Sequence, residues 1–132
     1  MFFKLYLIAL TVFLAIDMTW LTVIAKSFYA KHIGYLIAKN PNLLAAGIFY
    51  LIFIAGLVVF VITPAIDKKM WTQALMMGAF FGLVTYATYD LTNFATIKDW
   101  PVIITLVDLI WGMVLSASVS AITYVVAKKF GL

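Results

Sequence analysis

Apolar residues come in four long runs along this chain, and most of the polar positions between them cluster where one run ends and the next begins. The runs are about Leu5 to Ala25, Leu43 to Thr63, Ala74 to Phe94 and Val102 to Val126. Each has the roughly twenty residues or more that an α-helix needs to cross a hydrocarbon core. Lipid offers no partner to backbone N–H and C=O groups, so runs of this kind must be helices. A barrel would need alternating polarity, which they lack. The expected fold is all-α: an integral membrane four-helix bundle, with residues 1–132 as a single transmembrane domain.

The punctuation supports this division. Asn40-Pro41-Asn42 stops one segment and opens the next. Thr63-Pro64 is expected to close the second span, with Asp67-Lys68-Lys69 at the interface beyond it. In Lys98-Asp99-Trp100-Pro101, Asp99 has the chemistry of an N-cap, and Pro101 suits the first helical turn. Tyr29, Tyr35, Trp71 and Trp100 sit at boundaries, as an aromatic belt would. The connection from Lys26 to Asn42 holds Phe28, Tyr29, Ile33, Tyr35, Leu36 and Ile37, which suits a short interfacial helix between the first two spans better than a free loop. Lys4 and the apolar residues after it resemble a signal peptide, but Asp17 and Trp20 follow the apolar run and no clear small-x-small cleavage site appears. The reading is an uncleaved first span.

Composition removes several function classes. Hydrophobic residues make up 67% of the chain and charged residues 11%, against about 25% charged in a soluble domain. With no cysteine there are no disulfides and no thiolate chemistry. The net charge of +4 comes from nine lysines spread over span ends, where they meet lipid headgroups, and not from a patch that would grip nucleic acid. The expected partner is the lipid bilayer, with a homo-oligomer also open and no nucleic acid. Lys4, Lys68, Lys69, Lys128 and Lys129 fall on the side of the termini, and Lys26, Lys31, Lys39 and Lys98 on the other. Five lysines against four favour cytoplasmic termini by one charge.

The chemistry lies in three acids inside the runs: Asp17, Asp90 and Asp108. A charged residue at the centre of a membrane helix costs roughly 2.5–3.5 kcal/mol on insertion scales, and such residues mark functional sites by default. Counted at about 1.5 Å per residue from Lys26, Lys98 and Asp99, all three acids lie roughly 12–14 Å of helix from one face, in one leaflet. Each has a polar or aromatic neighbour three residues on, on the same helical face: Trp20, Asn93 and Trp111. Gly78, Gly82, Tyr86 and Asp90 recur at four-residue spacing, as do Asp108, Gly112, Ser116, Ser120 and Tyr124. The small residues form a packing face. The candidate ligand, ion or proton-binding residues are therefore Asp17, Asp90, Asp108, Trp20, Asn93, Trp111 and Tyr86. Ser116 and Ser120 are expected to hydrogen-bond within the helices. His32, the sole histidine, is expected to be solvated, or else to stand at the mouth of an acidic site.

Asp17-Met18-Thr19-Trp20 in the first span and Asp108-Leu109-Ile110-Trp111-Gly112 in the last resemble a small bacterial family of four-span integral membrane proteins catalogued as a domain of unknown function. The resemblance covers essentially the whole chain and implies no catalytic residues. It implies a multi-pass protein of the bacterial cytoplasmic (inner) membrane, in a light-stress or lipid-modification context. The small multidrug resistance exporters also have four spans and an acid in the first. Here that acid is Asp17 in place of Glu, and Asp90 and Asp108 have no counterpart there.

Three readings follow. Carboxylates in a confined pocket suit binding or transport of a cation, a proton or a cationic small molecule. Oxygen ligands without cysteine would favour Mg²⁺ or Ca²⁺ over zinc. Paired carboxylates could instead share acid and base roles in a membrane-embedded enzyme or an accessory protein of lipid modification. No nucleophile–base motif or phosphate loop supports that, and neither cofactor nor reaction is specified. In the third reading the acids only hold helices together in a structural bundle. The topology is directly testable: single cysteines at positions 2 and 130 should label from the same face of the membrane, and labelling from opposite faces would reject four spans.

Overall fold

A computed structural model of the chain describes residues 1–132 and is helical throughout, with no strand. Four helices are long and apolar enough to cross a membrane: α1 (Phe2–Ile24), α3 (Leu43–Lys68), α4 (Trp71–Thr96) and α5 (Val102–Lys129). Between α1 and α3 lies the short α2 (Lys26–Ile33), followed by one 3₁₀ turn at Gly34–Leu36.

Two boundaries differ from the sequence expectation. The second long helix does not stop at Thr63-Pro64 but continues to Lys68, where Lys69 takes a left-handed conformation (φ 55°). Proline is tolerated because Val58–Ile62 widen into a π-helical turn, in which the Thr63 N–H bonds the carbonyl of Val58, five residues back. Such a turn relieves the clash between a proline ring and the preceding turn. Asp99 does not cap α5. It sits left-handed at φ 61°, and Pro101 occupies the N-cap position without a side-chain bond. Asn42 does cap its helix, accepting from the Ala45 N–H at 3.0 Å. α1 also ends in a π-helical turn, Trp20–Ile24, closed by the Ala25 N–H on the Trp20 carbonyl.

Each of the four long helices buries a stripe that recurs about every fourth residue. In α1 the stripe is Leu5, Ala9, Phe13 and Asp17; in α4 it is Ala74, Gly78, Gly82 and Asp90, with Tyr86 half-buried between the last two. Rows at this spacing are the ridges that interlock when helices pack. The tightest contact joins α4 to α5. A methyl group on Gly82 would come within 2.0 Å of the Gly112 carbonyl oxygen, and one on Gly78 within 2.7 Å of the Ser116 carbonyl. The backbones therefore touch, as small residues at membrane helix interfaces allow. Ser116 and Ser120 face these glycines, and their hydroxyls lack hydrogen-bond partners, contrary to expectation. A glycine opposite them carries no side chain that could accept.

Packing divides the bundle in two along its length. The half nearer the termini holds a continuous apolar core that includes Leu5, Phe13, Ile54, Leu57, Val61, Leu115 and Val119. In the other half α3 moves away: Leu43–Ile52 contains no buried residue. The space left there is occupied by the acids. Gly82→Ala should destabilise the bundle by about 1–3 kcal/mol or more through overpacking. Gly47→Ala, where a methyl meets nothing within 4 Å, should be neutral or slightly stabilising. Unfolding titrations in mixed micelles would compare them.

Candidate functional site

Asp17, Asp90 and Asp108 all line one cavity of about 380 Å³ in the half away from the termini. Its other walls are Trp20, Leu21, Tyr29, Phe49, Tyr50, Thr85, Tyr86, Tyr89 and Trp111. Seven of these twelve residues are aromatic and none is a cation. The volume falls in the range of small-molecule sites.

The antiparallel packing of α1 on α5 fixes the hydrogen bonds. Trp111 comes level with Asp17, and Trp20 comes beside Asp108. The Trp111 Nε1–H donates to Asp17 Oδ1 at 3.3 Å, and the Tyr50 hydroxyl donates to Asp17 Oδ2 at 3.0 Å. Trp20 Nε1–H donates to the Tyr29 oxygen at 3.2 Å, and the Tyr29 hydroxyl donates to Asp108 Oδ1 at 2.5 Å. The two indoles stack between these chains, with centroids 4.2 Å apart and planes 9° from parallel. Each Asp thus leaves its tryptophan three residues on to serve the other acid's chain, the reverse of the local pairs suggested by the sequence. Phe13 packs edge-on beneath Tyr50 at 4.9 Å.

Asp90 differs from the other two. Its residue is 0% exposed, yet neither carboxyl oxygen has a hydrogen-bond partner, and the carboxyl of Asp108 is the charged group that acts on it. Its backbone carbonyl accepts from Thr105 Oγ1 at 3.2 Å, and Trp100 Nε1–H donates to that same threonine oxygen at 3.0 Å. These contacts set the depths along α5: Asp90 is level with Thr105, Asp108 follows three residues on, and Asp17 lies level with Trp111 after three more. The acids descend in steps of about 4.5 Å. Although they share the cavity, no cluster of three or more His, Cys, Asp or Glu side chains is placed to hold a metal ion.

α2 roofs the cavity by way of Tyr29. Burial first, and then the bond to Asp108, push the Tyr29 phenol above its ordinary range, so it stays a neutral donor. The following loop is tied down by the Tyr35 hydroxyl on the Asp99 carbonyl at 2.7 Å.

Of the residues singled out from sequence, Asp17, Asp90, Asp108, Trp20, Trp111 and Tyr86 line the cavity, and Asn93 does not. Asn93 is one turn nearer the loop than Asp90, past the cavity's end. His32 also lies outside, its Nδ1 on the Phe28 carbonyl at 2.9 Å. Two acid partners escaped the sequence reading. Tyr50 had a signal, being the one side chain with a hydrogen-bonding group between Leu43 and Ile62. Tyr29 had none beyond its place in an aromatic connection.

The family model described as predicted membrane protein, DUF2177, matches residues 2–125. No curated protein and no solved structure matches the chain.

Tyr50→Phe should cost about 0.6–1.7 kcal/mol, the span measured for hydrogen bonds between membrane helices. Trp111→Phe should cost a similar amount. Together they leave the Asp17 carboxyl without a donor, so the double variant should lose more than the sum, by about 1 kcal/mol or more. Additive losses in a double-mutant cycle would show that the two donors act independently.

Proposed function

Because the chain belongs to the DUF2177 family of predicted membrane proteins, a family of unknown function, we propose a role inside the bilayer: binding or transport of a cation, with an organic cation as the ligand and proton exchange at the acids. One observation carries this reading. Asp90 and Asp108 are two buried carboxyls in the wall of one cavity, each within electrostatic reach of the other, and no donor reaches Asp90. Two such groups side by side need a proton or a cation between them. A protonated pair is satisfied internally, and an arriving cation replaces the proton. The staggered acids do not converge as ligands of Mg²⁺ or Ca²⁺ must. The aromatic walls suit a less strongly hydrated charge, because the ring faces of Trp and Tyr attract ammonium groups, more so once these are desolvated. The family resemblance and the lysine count support a bacterial cytoplasmic membrane with cytoplasmic termini, and the cation reading leaves Asn93 and His32 outside the ligand's reach.

Benzyltrimethylammonium and its neutral isostere neopentylbenzene separate charge recognition from greasy filling of the cavity. The melting temperature of detergent-solubilised protein should rise by several degrees with the cation and not with the isostere, since ligand at about a hundred times Kd stabilises by about 2.7 kcal/mol. Asp90→Asn should fold and lose the response. Mg²⁺ and Ca²⁺ should leave melting unchanged. A wild-type curve indifferent to the cation between pH 5 and 8, with silent Asn substitutions at all three acids, would leave the acids as helix glue and reject the proposal.

A further inference from the structure

We infer that the cation is an amphiphile: its charged head sits among the acids, and its hydrocarbon chain lies along the seam between α3 and α4, reached from within the bilayer. This rests on the cation-binding reading above and names the ligand class.

The cavity's openings point sideways. Three of its walls are substantially exposed: Leu21 at 38%, Phe49 at 48% and Tyr89 at 57%. All three lie on membrane-length helices, seven to nine residues from Asn42 and Lys98 in the cases of Phe49 and Tyr89, which is roughly 10–14 Å of helix. At that depth the outside is hydrocarbon. The route from the aqueous end is obstructed by Tyr29, which is bonded to both Trp20 and Asp108. The stretch of α3 beside the opening is held back by few ties. Besides the Tyr50–Asp17 bond, its other side-chain bond to the bundle is the Tyr6 hydroxyl on the Leu51 carbonyl at 2.9 Å.

The seam continues past the acids. A second hollow, of about 250 Å³, lies between the same two helices and is lined only by Phe60, Val61, Met77, Phe80, Phe81 and Val84. On α4 its last residue, Val84, adjoins Thr85 of the acid cavity. The ring of Phe81, a wall of the second hollow, is seated in the notch left by Gly56, where a methyl would approach it to 2.8 Å. An acidic compartment with aromatic walls therefore leads along one seam to a wholly apolar one. That order of surfaces matches a cationic head followed by a chain. A zwitterionic headgroup carrying phosphate would set its own anion against three carboxyls. The class indicated is a net cation on a single chain, such as a long-chain amine.

A dodecyltrimethylammonium probe with a diazirine at the chain end tests this in lipid nanodiscs. After photolysis, peptide mapping should find adducts on Phe60, Met77 and Phe80, and benzyltrimethylammonium should suppress them. Val84→Trp should fill the seam and abolish these adducts while leaving the melting response to benzyltrimethylammonium intact. Adducts concentrated on α2 and its loop, or spread evenly over the lipid face and indifferent to the competitor, would overturn the chain placement even if the short cation still binds. Loss of the short cation's own Asp90-dependent response would instead remove the reading beneath it.

Discussion

The backbone contact of Gly82 with Gly112 sets the geometry on which the rest of the molecule depends. With no side chain between them, α4 and α5 meet at the distance of their main chains, too close for a methyl group. That contact fixes their antiparallel register. One turn along α4, Tyr86 lies over Gly112; a further turn brings Asp90 against Thr105 and Asp108. In lipid the hydrophobic effect does not press helices together, so close packing of this kind and hydrogen bonds must do it. α1 then completes the arrangement by stacking Trp20 on Trp111, which lets each indole donate along the other helix's chain of acids.

Much of this was legible in the sequence. The four spans follow from apolar length, and the α4 and α5 stripes follow from four-residue spacing of Gly, Ser, Tyr and Asp. The same spacing runs through Leu5, Ala9, Phe13 and Asp17 in α1, where a uniformly apolar sequence hides which face is the buried one. Other features depend on neighbours and could not be read locally. A residue three positions along a helix shares its face but not its partner, so the Asp–Trp pairs exchanged across α1 and α5. Helix continuation through Pro64 requires the widened turn before it, and that widening is a property of the backbone and not of any one residue. A single-turn offset between helices separated the acids in depth, although counting from the loops placed them level.

The apolar core and the acid cavity are complementary consequences of how α3 is built. Its C-terminal half supplies Phe53, Ile54, Leu57, Val58, Val61 and Ile62 to the core, and its N-terminal half supplies none. Filling the second half equally would bury three acids among aliphatic side chains with no space for water, proton or ligand. The aromatic lining avoids this. Tyr and Trp present apolar bodies to the bundle and single donors to the carboxyls, so walls can be both packed and polar. Tyr29 does this from outside the spans, closing the aqueous end with one side chain.

Three donors reach the carboxyls directly, Trp111 and Tyr50 at Asp17 and Tyr29 at Asp108, and Trp20 supports Tyr29 in relay. Asp90 receives none, and no lysine lines the cavity. Neutral donors can stabilise a carboxylate but cannot cancel its charge. In a compartment walled by hydrocarbon and aromatic rings, the remaining negative charge must be met by something mobile, either a proton or a cationic ligand. If that exchange occurs at Asp90 and Asp108, the two species compete for one place, and binding of one releases the other. Under that proposal, a cavity arranged in this way would couple a cation to protons without needing any further device in the fold.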